Sequence, residues 1–255
     1  MMIESIQPLH HSSKHTTQWH HHPGGQLYWI TRGMVMVETE QGQWALTPGS
    51  VGWIPPSLPH CAWMPVSAYG ASLHFSAEFC GVFPSSPCVR AASPFLLLLL
   101  EKICGEGTIG EPSERLAHLL QVMVDEIRYA DALSSQLILP DDRRVRQIAQ
   151  KILADRACTL SQAELAKQAG LSVRTLSRLF IQQTGLTFGQ WKQKAKVILS
   201  LEYLLRGEPV SLVAQLAGYE NVSAFIAVFR RFMGMTPGQF YLRLNAEELE
   251  SLLTK

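Results

Sequence analysis

From Gln26 to Phe75 the apolar residues fall in short runs, and turn-forming residues separate them. Leu27–Thr31, Met34–Glu40, Trp44–Leu46, Val51–Ile54, His60–Trp63 and Ala71–Phe75 read as strands. Gly33, Gln41-Gly42, Pro48-Gly49 and the prolines 55, 56 and 59 punctuate them. Many short strands with tight turns predict a sandwich or small barrel. Along the last strand Ser72, His74 and Ser76 alternate with Leu73 and Phe75, so polar groups share one face. After the Pro84–Pro94 stretch the period changes. Phe95–Ile103 is almost wholly apolar, Gly105–Pro112 interrupts it, and Ser113–Tyr129 places Leu116, Leu119, Leu120, Met123, Val124 and Ile127 on one helical stripe. This is more apolar surface than one small barrel needs for cover, so the segment predicts a homodimer contact. Pro140-Asp141-Asp142 reads as a linker.

Beyond it the chain repeats itself. Leu165-Ala166, Gly170, Leu176, Phe180, Gly185 and Thr187 return 48 or 49 residues later as Val213-Ala214, Gly218, Phe225, Phe229, Gly234 and Thr236. Each copy has the pattern of a short helix, a glycine turn and a second amphipathic helix, which is a helix-turn-helix. Ser161-x-x-Glu164, Thr187-x-x-Gln190 and Thr236-x-x-Gln239 fit the capping box, while Ser172 and Asn221 are natural N-caps for the second helix of each copy. In the first copy Leu176, Leu179 and Phe180 form the buried side of a helix from Val173 to about Gln183. Ser172, Arg174, Thr175, Ser177 and Arg178 remain to face DNA, arginine being suited to bidentate contact with guanine. From Thr187 to Gly207 one helix of about 20 residues spans roughly 30 Å, close to the ~34 Å that separates successive major-groove faces. Lys192, Lys194 and Lys196 along it are placed for phosphate contact.

Charge agrees with that reading. The net charge of +1 hides an asymmetry: residues 1–140 hold 6 Lys/Arg against 11 Asp/Glu, and residues 141–255 hold 16 against 10. Between Arg143 and Arg243 the balance is 15 basic to 5 acidic, which points to a polyanion partner. Eight of the nine histidines lie at or before His74. Five cysteines, an odd number with no CxxC spacing, indicate reduced thiols and a cytoplasmic protein. No secretory signal pattern opens the chain, and the apolar run Phe95–Leu100 is far shorter than the ~20 residues of a membrane span.

Two resemblances follow from these residues. Gly218-Tyr219, Ser223-x-Phe225, Phe229-Arg230-Arg231, Gly234-x-Thr236-Pro237 and Phe240 make the span from about Arg144 to Phe240 resemble the DNA-binding domain of AraC/XylS-type regulators. The resemblance implies DNA contacts in the second copy from Asn221, Ser223 and Arg230. Ala227 stands where that family often has a base-reading arginine, and Val222, Ala224 and Ile226 leave the helix surface plain, so specificity is expected mainly from the first copy. The spacings His20-x-His22-x3-Gln26-x6-Gly33 and Gly49-x5-Pro55-x-Ser57-x2-His60 resemble the two cupin motifs. That resemblance implies convergence of His20, His22, Gln26 and His60 inside a barrel, and the polar face of Ser72, His74 and Ser76 adds His74 as a further candidate effector contact. It implies His20, His22 and His60 as ligands of a divalent transition metal, for which imidazole is suited. Gln26 replaces the motif's glutamate and Ser57 its second glycine, and the same residues could instead line a cavity and hydrogen-bond to a small molecule.

The expected fold is α+β multidomain: a cupin-like sensing barrel over residues 1–82, a helical association segment and linker over 83–139, and an all-α double helix-turn-helix DNA-binding domain over 140–255. The expected function is a sequence-specific transcriptional regulator, a homodimer and not an enzyme, whose barrel senses a small molecule or metal. The alternative is a metal-dependent cupin enzyme with secondary DNA binding. A constitutive DNA-binding dimer with a silent barrel is the third reading.

Overall fold

The computed structural model describes residues 2–11, 15–106, 113–133, 135–155, 158 and 160–242. The Gly105–Pro112 interruption therefore lies mostly outside the described residues, as do residues 243–255. Two compact units divide the chain, Met1–Thr39 with Trp44–Gln136, and Glu40–Gln43 with Leu137–Lys255.

In the first unit the predicted strands form as β2 (Gly25–Arg32), β3 (Val35–Thr39), β4 (Gly42–Leu46), β5 (Ser50–Ile54), β6 (His60–Trp63) and β7 (Ala68–Phe75). Three strands escaped the sequence reading; one is β9 (Gln136–Ile138), and the other two are β1 (Ile3–His11) and β8 (Cys88–Ala91). They complete a five-stranded sheet of order β1-β7-β2-β5-β8, in which each pair described is antiparallel. A second sheet orders β6-β3-β4, and its last strand, β9 (Gln136–Ile138), lies beside the Glu40–Gln43 tip, where Leu139 N–H donates to the Gln41 carbonyl. The architecture is thus two sheets facing one another, as expected of a sandwich or small barrel.

Side-chain alternation explains why the five-stranded sheet stays dry on both faces. Leu27, Val51, Trp53, Leu73 and Phe75 point to one side and pack against α1 (Pro94–Gly105) and α2 (Glu114–Tyr129). Tyr28, Ile30 and Ile54 point to the other and meet Val35, Val37, Trp44, Leu46 and Ala62 of the second sheet. The helices start where their caps dictate. Ser93 accepts from Leu96 N–H with Pro94 as the first helical residue, and Ser113 accepts from Leu116 N–H. Leu116, Leu120, Met123, Val124 and Ile127 of the predicted stripe are buried, and Leu119 is half-buried.

The second unit is helical: α3 (Arg143–Ala154), α4 (Gln162–Gln168), α5 (Val173–Thr184), α6 (Phe188–Leu205), α7 (Val210–Leu216) and α8 (Val222–Met233). Helix α6 touches α3, α5, α7 and α8, and its Trp191, Ala195, Ile198, Leu201 and Leu204 are buried. The Trp191 indole N–H donates to the Ile138 carbonyl at 2.7 Å. Each repeat closes on an aromatic cluster, Phe180 with Phe188 and Trp191 in one, Phe229 with Phe225 and Phe240 in the other. The repeated glycines Gly185 and Gly234 end α5 and α8 at φ 72° and 74°, the left-handed conformation that stops a helix. Capping boxes at Ser161 and Thr187 are both closed, and Thr236 and Gln239 exchange the same pair of bonds. Among the described residues no helix is long and apolar enough to cross a membrane.

Ser57, at the place of the motif's glycine, has φ 60°. A side chain there costs about 1–2 kcal/mol, while a glycine loses about 0.4–1 kcal/mol through unfolded-chain entropy. Ser57→Gly is therefore expected to stabilise the chain by about 0.5–1 kcal/mol. Urea unfolding followed by tryptophan fluorescence checks this, and an unchanged or lower midpoint would contradict the strain argument.

Candidate effector site and nucleic-acid interface

The histidines meet because backbone pairing brings two segments side by side. Residues 15–20 run antiparallel along β6: Met64 N–H donates to His15 O, Thr17 N–H to Ala62 O, and His20 and His60 exchange both backbone bonds at 2.9 Å. Ser57 N–H donates to the His22 carbonyl at 2.8 Å, which ties the turn before His60 to the strand carrying His22. On the adjoining sheet Gln26 of β2 lies opposite His74 of β7, and Ser72 shares the His74 face. The ring centroids of His20 and His60 are 4.4 Å apart, those of His20 and His22 4.8 Å, and those of His22 and His74 5.0 Å.

His20, His22 and His60 each present a ring nitrogen within 4.8 Å of the others. His60 is wholly buried, His20 and His22 half-buried. Two of the rings are anchored through their other nitrogen, since His20 Nδ1 lies 2.7 Å from the Gln18 carbonyl and His60 Nδ1 2.9 Å from the Leu58 carbonyl. A carbonyl only accepts, so each Nδ1 carries the proton and each Nε2 keeps its lone pair. His22 Nε2 is buried and has no hydrogen-bond partner among the described residues. Neither Gln18 nor Leu58 was marked by the sequence reading, because nothing in a residue's type reveals where its carbonyl points. Gln26, Ser72 and His74 form the polar floor. Gln26 Nε2 donates to Ser72 Oγ at 2.7 Å, Ser72 Oγ lies 3.0 Å from His74 Nε2, and Gln26 Oε1 lies 3.2 Å from His60 Nε2. Burial pushes the imidazoles of His60 and His74 down to about 4, and it lowers His22 with help from the His20 charge. These rings are neutral at physiological pH, the form that binds metals.

The interior holds a second feature nearer the β4–β8 side: a small apolar pocket lined by Val37, Trp44, Leu46, Gly52 and Val89 among others. Trp44, Trp53 and Trp191 are buried, Trp29 and Trp63 are half-buried, and Trp19 is 53 % exposed.

In the helical unit Ser172 caps α5 by accepting from Thr175 N–H, and its hydroxyl lies 2.9 Å from Thr175 Oγ1. Leu176 and Phe180 face inward, Leu179 is half-buried, and Arg174 and Arg178 are exposed. Arg178 Nη1 donates to Gln182 Oε1 one turn on, which adds Gln182 to this face. Ser177 is drawn back, accepting from Gln162 Nε2 of α4. On α8 Asn221 caps through Ser223 N–H, and Ser223, Ala224, Ala227 and Arg230 are exposed. Lys192 and Lys196, read from the sequence as phosphate contacts, each donate one hydrogen bond within the unit. Lys192 donates to the Leu160 carbonyl at 3.1 Å, and Lys196 donates to the Gly218 carbonyl at 3.2 Å and sits over the Tyr219 ring. Both are half-buried, so they brace the turns of the two repeats from α6.

Known proteins agree with both halves. Residues 165–243 match the helix-turn-helix domain family and residues 9–141 the AraC-like ligand binding domain family. The transcriptional regulator NimR of Escherichia coli K12 is 27 % identical over 244 residues, covering 92 % of this chain and 86 % of NimR. RipA of Corynebacterium glutamicum, also a transcriptional regulator, is 35 % identical over 102 residues, 40 % of this chain and 31 % of RipA. Among solved structures ToxT from Vibrio cholerae covers 95 % of this chain and 98 % of its own at 12 % identity, with a TM-score of 0.40. The class of protein is a DNA-binding transcriptional regulator with an N-terminal ligand-binding domain. The chain belongs to the AraC family.

The buried rings set a pH dependence. His60 and His74 titrate near 4 when folded and near 6.5 in an ordinary imidazole. As pH falls below about 6.5 the unfolded chain takes up protons first, so stability is full above that value and is lost down to about 4. The slope is on the order of 1.4 kcal/mol per pH unit for each proton taken up. Denaturation of the metal-free protein at pH 7, 5.5 and 4.5 should show a falling midpoint, with a shallower fall in His74→Gln. A wild-type midpoint constant from pH 7 to 4.5 would contradict the burial argument.

Proposed function

We propose that the regulator senses its effector through His20, His22 and His60, with Gln26 and His74 beside them, and that the site accepts a divalent transition metal. The observation that carries the reading is the proton arrangement. Two Nδ1 protons are held by backbone carbonyls and the buried His22 Nε2 has no partner, so three lone pairs are free to converge. A hydrogen bond from the other ring nitrogen to a carbonyl is typical of ligating imidazoles. A bound metal would supply a fixed positive charge joining the residue 20–22 segment to β6. His60 and His20 would hold it on two backbone-paired segments, and His22 would follow from the bond between its carbonyl and Ser57. The donor set is all-nitrogen and neutral, which suits zinc, nickel, copper or iron rather than magnesium or calcium.

On the DNA side we assign base readout chiefly to Arg174 and Arg178 of α5, with Ser172 and Thr175 at the helix start near the backbone. Ser223 and Arg230 of α8 supply the weaker second contact, and Ala224 and Ala227 suit thymine methyl groups. Helix α6, 18 residues or about 27 Å long, sets the spacing of the two units. Lys192 and Lys196 contribute by holding the turns, and Asn221 by capping α8. The exposed Phe95 and Leu98 of α1 and Val122 and Tyr129 of α2 favour a homodimer. An enzyme reading is disfavoured by the amide at Gln26 where a carboxylate would serve, and by the lack of a nearby acid–base pair in the cluster.

Arg178→Ala is expected to weaken binding to the promoter beside the gene by about 1–3 kcal/mol and to relax base preference. His60→Ala should keep DNA affinity while losing its response to metal or effector. Fluorescence anisotropy on specific and scrambled duplexes at physiological salt reads both. Equal affinity of the wild type for the two duplexes would defeat the assignment.

A further inference from the structure

The two helix-turn-helix units share one backbone frame and differ at the joint between their helices. Helices α4 and α7 have seven residues each and α5 and α8 twelve each, and the turns between them pass through Gly170 at φ 65° and Gly218 at φ 71°. Leu165, Ala166, Leu176 and Phe180 are buried in the first unit, and Val213, Ala214, Phe225 and Phe229 are buried at the same places in the second. Each unit is therefore a control for the other.

At the first residue of the short helix and the fifth of the long one, the second unit has Val210 and Ile226, both half-buried. The first unit has Gln162 and Ser177 there, also half-buried, and Gln162 Nε2 donates to Ser177 Oγ at 2.8 Å. The frame thus forms without a polar pair at this joint. Water competes for a half-exposed hydrogen bond, whereas apolar side chains in the same place gain by leaving water. Stability alone favours the valine and the isoleucine.

The bond also leaves most of the pair's capacity unused. An amide and a hydroxyl carry three hydrogens between them, and among the described residues neither side chain makes another hydrogen bond. Two hydrogens stay free whichever way the amide is turned. Ser177 lies three residues after Arg174 and next to Arg178, both exposed, so the bond brings Gln162 from α4 to the margin of the arginine face. In the second unit Ser223 and Ala227 stand at the places of the two arginines. The polar joint and the arginines occur together in one unit and are missing together from the other.

We propose that Gln162 is a specificity-determining residue of the first unit: joined to Ser177, it presents donor hydrogens to a base edge beside those read by Arg174 and Arg178. This rests on the assignment of base readout to α5 given above. An amide and a hydroxyl are both suited to major-groove contact.

The test moves the second unit's joint into the first, in the full-length protein. The DNA is the duplex that the wild type selects from a randomised pool, together with its single-base variants, read by fluorescence anisotropy at physiological salt. Gln162→Val combined with Ser177→Ile should keep the helical content and thermal midpoint of the wild type. It should bind the selected duplex about tenfold more weakly and lose discrimination at one base pair, a different one from that lost in Arg178→Ala. Gln162→Glu can still accept from the Ser177 hydroxyl but has no hydrogen to give, and it should lose the same discrimination. If both variants bind every duplex as the wild type does, the pair is structural and the proposal is overturned, while readout by α5 still stands on Arg178→Ala. A double variant that unfolds overturns it too, because the joint would then need its polar pair. If the wild type selects no sequence, the readout assigned to α5 fails, and this inference with it.

Discussion

Cover on both faces of the five-stranded sheet is the constraint from which the chemistry of the histidine cluster follows, because it removes water from the polar residues of β2 and β7. Helices α1 and α2 seal one face with Leu96, Leu100, Leu120 and Met123, and the second sheet seals the other. Gln26, Ser72 and His74 are then left to satisfy one another, since an unpaired buried polar group costs about 1–3 kcal/mol. The same dryness keeps His60 and His74 neutral and so keeps their lone pairs available. A more open barrel would leave the same residues solvated, with ordinary basicity and little reason to converge on a ligand.

The helical unit solves a different problem, that of holding two short helix-turn-helix units at a fixed spacing. Helices α4 and α7 have seven residues each and are too short to persist alone. Ser161 caps α4, which packs on α5, while α7 has no side-chain cap and is held by packing on α6 and α8. Helix α6 runs between the units, with Trp191 bonded to the Ile138 carbonyl and Lys192 and Lys196 clasping one turn each. Gln183 adds a further tie, its Oε1 accepting from the backbone of Asp141 and Asp142 at the head of α3. The exposed arginines of α5 thus stand on a braced support, which contact with base edges requires.

Much of this was legible in the residues. Strands β2 to β7 were marked by glycine and proline punctuation, and the repeat was marked by glycines that recur because α5 and α8 both end in the left-handed region. The histidine spacing gave the likeness to the cupin motifs, and Ser57 at positive φ shows why that motif has a glycine there. Other features left no local signal. Strand β1, with its mixed polar composition, is an edge strand paired only to β7, and β8 is hidden among prolines and serines. The lysines of α6 look alike on a helical surface, and their type gives no sign that Lys192 and Lys196 reach the Leu160 and Gly218 carbonyls. The backbone carbonyls of Gln18 and Leu58, which choose the imidazole tautomers, are invisible to any reading of side-chain types.

A regulator of this kind requires that occupation of the proposed histidine site and binding of DNA be linked. Linkage is reciprocal, so DNA must change metal affinity by the same factor that metal changes DNA affinity, typically about 5–150-fold. The direct measurement is calorimetric titration of zinc into the metal-free protein, alone and in the presence of saturating operator duplex. The account predicts two distinct zinc affinities, whose ratio equals the change in operator affinity caused by zinc. Identical zinc affinities with and without operator would contradict it.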